Sequence, residues 1–286
     1  MGTVEGGAGA EALATGVVLA PAPEGTVDVP QDAAEMTARI GTAMKLAAGR
    51  WAMEIRPERG GRIASLRLDG EELLDQGIGI DQPTAKGFVD GGAQGWDEMV
   101  PTVEPTDSLP DHGEAWRLPW AVVEATATRC AMACEGRLLP WRLERAVELG
   151  ERVRANYRLI NRGSADMPAY WCSHVLFRYG DGVEIDVGVK LMRFAHGKSG
   201  KFFLPPGSID RARLRWPEGI AVELAWDAAK TPHCGVWICN GDLGGYRQAA
   251  IEPATGGGDR PDSDEPPPIL APGDSLEWWL EIRRLG

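Results

Sequence analysis

The sequence predicts an all-β protein, specifically a large antiparallel β-sandwich, and three observations support this prediction. Short runs that alternate apolar and polar residues recur along the chain, as expected for strands with one buried face. The chain contains 37 glycines and 21 prolines, which are the residues that favour turns between such strands. Only residues 33–47 have the periodicity of an amphipathic helix, and no internal repeat is present.

The predicted strands follow one another from residue 51 to the end of the chain. Residues 51–55 and 63–68 alternate on either side of a glycine-containing turn, which predicts a hairpin. Residues 141–149 and 152–161 form a second such pair. Further strands are predicted at 120–128, 183–190, 221–226, 235–239 and 275–283.

The domain organisation predicted from composition is simple. Residues 1–30 are rich in Gly, Ala and Pro, and we expect a flexible N-terminal lead there. Residues 31–286 are expected to form a single β-sandwich domain. Residues 256–273 are dense in Gly, Pro and Asp, which predicts a long surface loop before the last strand.

Charge and cysteine content exclude several classes of function. The chain has 42 acidic and 30 basic residues, a net charge of −12, which disfavours binding to nucleic acid or to an anionic membrane surface. The 5 cysteines have no zinc-site spacing, so we expect reduced and mostly buried thiols. The apolar run at 13–22 is too short to span a bilayer and lacks signal-peptide flanks, so the expected compartment is the cytoplasm.

The acidic residues near position 260 raise the question of a metal site. They could bind calcium, but their spacing is not that of an EF-hand, and a solvated acidic loop is the expected structure. The sequence therefore predicts no metal. The residues concerned are Asp259, Asp262, Asp264 and Glu265.

Residues 91–102 and 109–120 form the first segment with the composition of a binding site. Together they carry three tryptophans, several carboxylates, His112 and many glycines. Indole faces can cover the apolar C–H patches of a sugar while carboxylates and imidazoles bind its hydroxyl groups. The alternative is a packed loop whose tryptophans cover a sheet edge. The residues that we predict to bind substrate are Trp96, Asp97, Glu98, Trp116 and Arg117.

Two other segments carry candidate acid/base groups. His174 lies in the apolar strand segment 170–177, and Ser173 beside it cannot form a triad with it because neighbouring strand residues face opposite ways. Glu252 ends an apolar run before Pro253, so we expect it where a strand leaves the sheet. A partly desolvated carboxylate there could act as a general base. A core histidine and a solvated strand-end glutamate are the alternatives.

In their order along the chain, these segments resemble the galactose mutarotase-like (aldose 1-epimerase) superfamily, as a divergent member. The resemblance runs from about Trp51 to Arg283. The matching features are Gly60-Gly61, Gly70, His112-Gly113, His174 followed by Leu176-Phe177, Glu252-Pro253, and the closing pattern from Leu270 to Trp278.

The resemblance implies a sugar-binding groove on one sheet and an isomerase that interconverts sugar anomers without a cofactor. It assigns the general base to Glu252 and the general acid that protonates the ring oxygen to His174. It assigns to His112 the orientation of the sugar and assistance at the ring oxygen. Ring opening removes one proton and delivers another, which suits a carboxylate and an imidazole.

The sequence departs from the superfamily in ways that bear on the substrate. The Asn-Arg pair that holds sugar hydroxyl groups in members acting on free hexoses is absent from 91–98. Members acting on phosphorylated hexoses carry an arginine where Trp116 stands here, with Arg117 next to it. A groove lined by carboxylates such as Asp111 and Glu114 would also repel a phosphosugar, so we expect an unphosphorylated sugar.

Two other functions fit the same sequence. A carbohydrate-binding protein would keep the groove without turnover, and the tryptophan-rich loop favours it. A glycosidase or lyase would use Glu98 or Asp97 opposite Glu252. Part of the tryptophan excess is expected to form a sugar platform, through Trp96, Trp116, Trp120 and Trp171, whereas Trp278 and Trp279 are expected to pack in the core.

Overall fold

The structure is a computed structural model that describes residues 43–82, 87–189 and 194–286. The predicted N-terminal lead and most of the predicted helix at 33–47 lie outside these residues. The end of that helix prediction is wrong, because Met44–Ala48 form a strand that pairs with the next one. This first strand adds to a sheet edge, and cross-strand pairing outweighs the local helical pattern.

Nineteen strands are present in the described part of the chain. They are β1 Met44–Ala48, β2 Trp51–Arg56, β3 Arg62–Leu68, β4 Glu71–Glu72, β5 Trp96–Met99, β6 Ala121–Ala125, β7 Arg129–Glu135, β8 Trp141–Leu149, β9 Arg152–Asn161, β10 Met167–Pro168, β11 Cys172–Arg178, β12 Glu184–Asp186, β13 Lys198–Leu204, β14 Arg211–Arg215, β15 Ala221–Trp226, β16 His233–Asn240, β17 Arg247–Ala254, β18 Ile269–Leu270 and β19 Ser275–Arg284.

The strands form two large antiparallel sheets. The first sheet has the order β1-β2-β3-β5-β11-β17-β16-β13, and β4 pairs with β3 beside this path. The second has the order β12-β14-β15-β19-β9-β8-β7-β6. Strands β10 and β18 form a separate short pair. The predicted all-β antiparallel sandwich is therefore confirmed.

The main core lies between the two sheets. Each sheet contributes one face of alternating apolar residues, among them Val175 and Ile251 from the first sheet and Leu143 and Val153 from the second. All four side chains are fully buried. The burial of apolar side chains between the two sheets is the main contribution to the stability of a β-sandwich.

A second, smaller apolar cluster lies on the other face of the first sheet. Phe88 and Trp116 pack there against Leu176 and Ala250 of the central strands. Phe88 begins a one-turn helix, α1, which spans Phe88–Gly92. A short 3₁₀ turn at Leu243–Gly245 precedes β17 in the sequence. These residues cover part of the outer face of the first sheet, and a cavity on the same face is lined by some of them.

Most predicted strands correspond to observed ones, with differences at three places. The predicted strand 120–128 ends at Ala125, the described part of the predicted strand 183–190 is reduced to β12, and the predicted loop 256–273 contains β18. All five cysteines are free and buried, as expected. Among the described residues, no helix has the length and apolar character needed to cross a membrane.

Candidate active site

Strand register brings His174 and Glu252 together. Strands β11 and β17 pair Cys172 with Ala254 and Val175 with Ile251, and this register sets His174 opposite Glu252. Directly opposed residues project from the same face of a sheet. The Nε2 atom of His174 is 3.8 Å from Oε1 of Glu252.

The two side chains line a cavity on the outer face of the first sheet, and His112 lines it as well. The cavity volume is about 190 Å³. Its wall combines polar groups with Val89, Trp237 and Tyr246. The three residues singled out in the sequence as acid/base groups therefore line one cavity.

Glu252 lies within β17 and is held by a lysine. The sequence predicted a position where the strand leaves the sheet, but Glu252 is two residues inside it and opposes Gly235 of β16. Its Oε2 atom is 2.7 Å from Nζ of Lys201, and the same Nζ atom is 2.6 Å from Oδ1 of Asp259. Burial raises the pKa of Glu252, and the Lys201 ammonium partly offsets that rise.

Gly235 makes room for this ion pair. A Cβ atom at position 235 would lie 2.9 Å from Oε2 of Glu252 and 3.1 Å from Cε of Lys201. Both distances are tighter than ordinary contacts between carbon and its neighbours. A side chain at this position of β16 would therefore displace the carboxylate and the ammonium.

His174 is buried and neutral at neutral pH. Its pKa lies well below the ordinary value because burial disfavours the charged imidazolium, and the positive charges of His112, Lys201 and Arg62 act in the same direction. Among the described residues, its Nδ1 atom has no hydrogen-bond partner. Buried polar atoms are rarely left unsatisfied, so a ligand or water is expected to complete this one.

His112 lies in a loop with an unusual backbone conformation. Its φ is +57°, in the left-handed region that few non-glycine residues adopt, and its amide N–H donates to the carbonyl of Val103 at 2.6 Å. Nδ1 of His112 and Oδ1 of Asp111 are 2.8 Å apart, and the imidazole stacks on Phe88 with ring centroids 4.5 Å apart. These contacts fix the ring and leave its Nε2 atom for a ligand.

The Asp111 carboxylate is shared between two neighbours. Its Oδ2 atom accepts a hydrogen bond of 2.7 Å from the amide of Phe88. Burial by itself would raise the pKa of Asp111, but the interactions with His112 and the Phe88 amide lower it overall. Asp111 is therefore ionised at neutral pH and stabilises the orientation of the His112 imidazole.

Both imidazoles contact the same phenyl ring. Phe88 lies 4.8 Å from His174 between ring centroids, and the two imidazole centroids are 5.2 Å apart. Phe88 thus packs against both histidines, which also lie against each other. The sequence analysis did not identify Phe88, because it belongs to none of the three segments considered.

Strand alternation separates the three consecutive candidates Trp96, Asp97 and Glu98. Trp96 and Glu98 project into the main core, and Asp97 projects to the outer face, where it opposes His174 in the ladder. Glu98 is fully buried and binds Nη1 of Arg145 at 2.8 Å. None of the three lines the cavity.

Asp97 instead forms a buried ion pair beneath the site. Its Oδ2 atom is 2.9 Å from Nη2 of Arg62, and Nε of Arg62 donates to both carboxylate oxygens at 3.1 Å. Asp97 and Glu98 are both paired with arginines and do not line the cavity, so neither is placed as the second carboxylate that the glycosidase hypothesis put opposite Glu252.

Trp116 and Arg117 also lie outside the cavity lining. Trp116 is fully buried in the smaller cluster, and the Arg117 guanidinium stacks over its ring at 4.4 Å. Glu114 accepts hydrogen bonds from the amides of Arg137 and Leu138. The four tryptophans of the expected sugar platform, Trp96, Trp116, Trp120 and Trp171, are all buried, and none of them lines the cavity.

The structure adds side chains that the sequence analysis missed. Lys201 comes from the edge strand β13, Trp237 comes from its neighbour β16, and Asp259 comes from the loop after β17. Lys201 lies far in sequence from His174 and from Glu252. The register of β13, β16 and β17 brings it beside Glu252, and no local sequence pattern indicates that register.

The cavity is acidic overall. Four carboxylates line it, and among the described lining residues Lys201 contributes an ammonium group. The carboxylates belong to Glu104, Asp111, Glu252 and Asp259. Within the described part of the chain, no group of three or more His, Cys, Asp or Glu side chains has the arrangement of a metal site. The surroundings suit hydrogen bonding to hydroxyl groups and disfavour an anionic ligand.

Comparison with known proteins supports the architecture. No protein-family model matches the chain, and no curated protein matches it. A solved structure from Synechocystis sp. PCC 6803 is similar, with 17% identity and a TM-score of 0.68 over 85% of this chain and 95% of that one.

Two further structures carry informative names. A galactose mutarotase-like protein from Lactobacillus casei shares 15% identity with a TM-score of 0.66, over 85% of this chain and 100% of that one. A galactose mutarotase related enzyme from Lactobacillus acidophilus shares 14% identity with a TM-score of 0.65, over 86% of this chain and 98% of that one. The chain thus has the galactose mutarotase-like fold, in a version of strongly divergent sequence.

Proposed function

We propose that the protein is an aldose 1-epimerase-like isomerase that interconverts the anomers of an unphosphorylated sugar by acid/base ring opening and reclosure. The observation that carries the proposal is the meeting of His112, His174 and Glu252 in one cavity of a galactose mutarotase-like fold. The contacts around each side chain support a distinct role for it.

Glu252 acts as the general base. Its carboxylate takes the proton of the anomeric hydroxyl group while the C1–O5 bond breaks. Burial raises the pKa of Glu252, so it is a stronger base than an exposed carboxylate, and the Lys201 ion pair at 2.7 Å keeps it from being neutralised completely.

His174 acts as the general acid. The protonated imidazole gives its proton to the ring oxygen O5 as the bond to C1 breaks, which yields the open-chain aldehyde. Its lowered pKa makes that imidazolium a stronger acid than a solvated one. Because His174 is neutral in the resting protein, the reactive form is the minor protonation state in which the imidazole carries a proton and the Glu252 carboxylate carries none. Ring opening moves two different protons and leaves His174 neutral and Glu252 protonated.

Reclosure reverses these transfers. The aldehyde rotates about C1–C2, O5 attacks the other face of C1, and each proton returns to the group that held it. The protein ends in its starting protonation state, so turnover needs no cofactor. His112, fixed by Asp111 and Phe88, binds the sugar near the ring oxygen and stabilises the charge that develops there.

The proposed substrate is a neutral sugar. Carboxylates outnumber the ammonium of Lys201 among the charged side chains that line the cavity, so a phosphate group would be repelled. We also propose a reducing compartment such as the cytoplasm, in keeping with five free cysteines.

Polarimetry on a panel of freshly dissolved α-aldoses tests the proposal. We expect the protein to accelerate mutarotation of at least one neutral aldose, and we expect Glu252→Gln to reduce that acceleration by about 10²-fold or more, because the amide cannot accept the proton. Glu277→Gln is the matched control, since Glu277 is an exposed glutamate on β19. No acceleration of any sugar, or full activity in Glu252→Gln, would refute the proposal.

A carbohydrate-binding protein without turnover is the second candidate. The ion pair between Lys201 and Glu252 favours it, because an engaged carboxylate is a poorer base. Saturable sugar binding that survives both Glu252→Gln and His174→Ala, with no mutarotation by any variant, would select this candidate.

A further inference from the structure

A second hollow adjoins the cavity. It has a volume of about 410 Å³, is open to solvent, and shares Glu104 and Asp259 with the cavity wall. We name it the outer groove, and its lining residues are Glu104, Phe203, Asp259, Arg260, Asp262 and Ser263. The two hollows are therefore neighbours that can contact one molecule.

Phe203 gives the outer groove an exposed aromatic side chain. It lies on β13, the last strand in the order of the first sheet, two residues after Lys201, so both side chains project to the same side. Nζ of Lys201 is 5.4 Å from the centroid of the Phe203 ring. Phe203 is nevertheless 49% exposed. The exposed face of this ring is therefore available to a ligand that lies in the groove.

Polar groups line the outer groove together with this ring. The guanidinium of Arg260 donates to Asp262 through Nε at 2.9 Å and through Nη2 at 2.7 Å. The carbonyl of Asp259 accepts hydrogen bonds of 2.9 Å from the amides of Val103 and Glu104. These contacts join the loop after β17 to the loop that carries Glu104. Donors and acceptors thus flank an aromatic face.

The volume of the cavity limits what it can hold. At about 190 Å³ it is smaller than the roughly 300–1,000 Å³ typical of sites for drug-sized ligands, so it suits a single sugar ring. A second ring of the same ligand would have to lie outside it. The outer groove begins at the shared wall of Glu104 and Asp259 and offers that space.

From these observations we infer that the outer groove is a second sugar subsite and that the substrate is the reducing-end ring of a disaccharide or short oligosaccharide. This inference rests on the proposed function, because the ring in the cavity needs a free anomeric carbon for ring opening. The second ring is then attached through another hydroxyl group of the first. Its apolar face stacks on Phe203, and its hydroxyl groups bind Arg260, Asp262 and Ser263.

An anionic group in the groove would meet the wrong charges. Three carboxylates line it, those of Glu104, Asp259 and Asp262, against the single guanidinium of Arg260, which is already paired. A neutral sugar exchanges hydrogen bonds with both signs of charge without this repulsion. The chemistry of the groove therefore favours a second neutral ring over a phosphate or carboxylate substituent.

A comparison of disaccharides with glucose tests the inference. The wild-type protein and Phe203→Ala would be assayed by polarimetry on glucose, maltose, cellobiose, sophorose and isomaltose. We expect kcat/KM for at least one disaccharide to exceed that for glucose by about tenfold in the wild type, and Phe203→Ala to remove most of that preference. Leu138→Ala is the matched control, because Leu138 is 53% exposed and does not line the groove.

Saturation-transfer difference NMR separates this inference from the proposed function. The wild type should transfer saturation to protons of both rings of the preferred disaccharide, and Phe203→Ala should lose transfer to the non-reducing ring, whether or not any sugar is turned over. A wild type that contacts only the reducing-end ring, or a ratio of disaccharide to glucose activity that Phe203→Ala leaves unchanged, would overturn the second subsite. Absence of mutarotation with contacts to both rings would refute the proposed function and leave the subsite supported.

Discussion

Lys201 is the residue that sets the charge of the proposed general base. Its ammonium lies within 2.7 Å of Glu252 and within 2.6 Å of Asp259. The raised pKa of Glu252 comes from burial, and Lys201 is the largest opposing influence. Without the ammonium, the carboxylate would take up a proton at a higher pH and cease to be a base there.

We therefore predict that Lys201→Met moves the acid limb of the kcat/KM profile to higher pH. An opposite charge at this distance lowers a carboxyl pKa by roughly 1–3 units, and its loss should raise the midpoint by a similar amount. Lys201→Arg keeps the positive charge and should restore the wild-type limb. A Lys201→Met profile that superimposes on the wild type would contradict this role, as would equal loss of activity at every pH.

The acid/base candidates could be identified from the sequence, whereas Lys201 could not. His112, His174 and Glu252 occur in segments whose order resembles a known superfamily. Lys201 sits in the segment Lys198–Leu204, which carries no distinctive motif. It reaches Glu252 only across β16, and a single sequence contains no record of that register.

Among the elements, β16 separates the strand of Lys201 from the strand of Glu252. The two side chains meet over Gly235, because a hydrogen atom is all that this position projects toward them. The glycine is not in a left-handed conformation, so its role here is to provide space. Strand β16 thus contributes to the site by having a glycine where any side chain would contact Glu252 and Lys201.

Gly235→Ala should lower kcat/KM with little effect on stability. The new Cβ atom would lie 2.9 Å from Oε2 of Glu252, and a displacement of the base of even part of an ångström can cost about 10- to 100-fold in rate. Gly150→Ala is the matched control, because a Cβ atom there meets nothing within 4 Å. Equal kcat/KM values for Gly235→Ala and Gly150→Ala would contradict the argument that Gly235 provides space for the ion pair. Thermal unfolding of both variants would check that their stability is little changed.

Strand alternation explains where sequence reasoning about elements failed. The sequence analysis treated the neighbouring residues of the segment Trp96–Met99 as one set of substrate ligands. In β5, Trp96 and Glu98 face the core while Asp97 faces outward. A period of two predicts that they separate, but the sequence alone does not state which face is which.

At the scale of the whole molecule, a buried ion pair joins the two sheets. Glu98 of β5 binds Arg145 of β8 at 2.8 Å, and both side chains are fully buried. Tyr157 and Trp171 donate further hydrogen bonds to the Glu98 carboxylate at 2.9 and 2.8 Å. Burial raises the pKa of Glu98, and Arg145 is the main influence that lowers it.

Arg145→Met should destabilise the fold by about 3–5 kcal/mol at neutral pH, because it leaves a buried charge without its partner. The pKa of Glu98 would rise further in this variant, so the folded state gains a proton relative to the unfolded one. The deficit in the free energy of unfolding is then present above the raised pKa and shrinks as the pH falls. Urea titrations at several pH values measure this deficit.

The double variant Arg145→Met with Glu98→Gln controls for this effect. It removes the charge as well as its partner, so it should be more stable than Arg145→Met alone at neutral pH and should lose the pH dependence of the deficit. A single variant whose deficit is independent of pH would show that the lost stability comes from packing and not from the unpaired carboxylate.

The architecture as a whole was the most predictable feature. Alternation at 141–149 and 152–161 reproduces β8 and β9, because both strands have one clearly buried face. The helix prediction at residues 44–47 is wrong, because a short edge strand depends on pairing with its neighbouring strand more than on its own sequence pattern. The tryptophan excess did not indicate a sugar platform, because the sequence alone does not distinguish a tryptophan buried in a core from one that binds a sugar.

The central claim is that the cavity of His112, His174 and Glu252 catalyses exchange between sugar anomers, and magnetisation-transfer NMR tests it most directly. The experiment saturates one anomeric proton of a neutral aldose at equilibrium and measures the loss of signal at the other. The wild type should transfer saturation faster than buffer alone, Glu277→Gln should match it, and Glu252→Gln should return the rate to that of the buffer. Saturable sugar binding by the wild type with no transfer above the buffer rate would contradict the account.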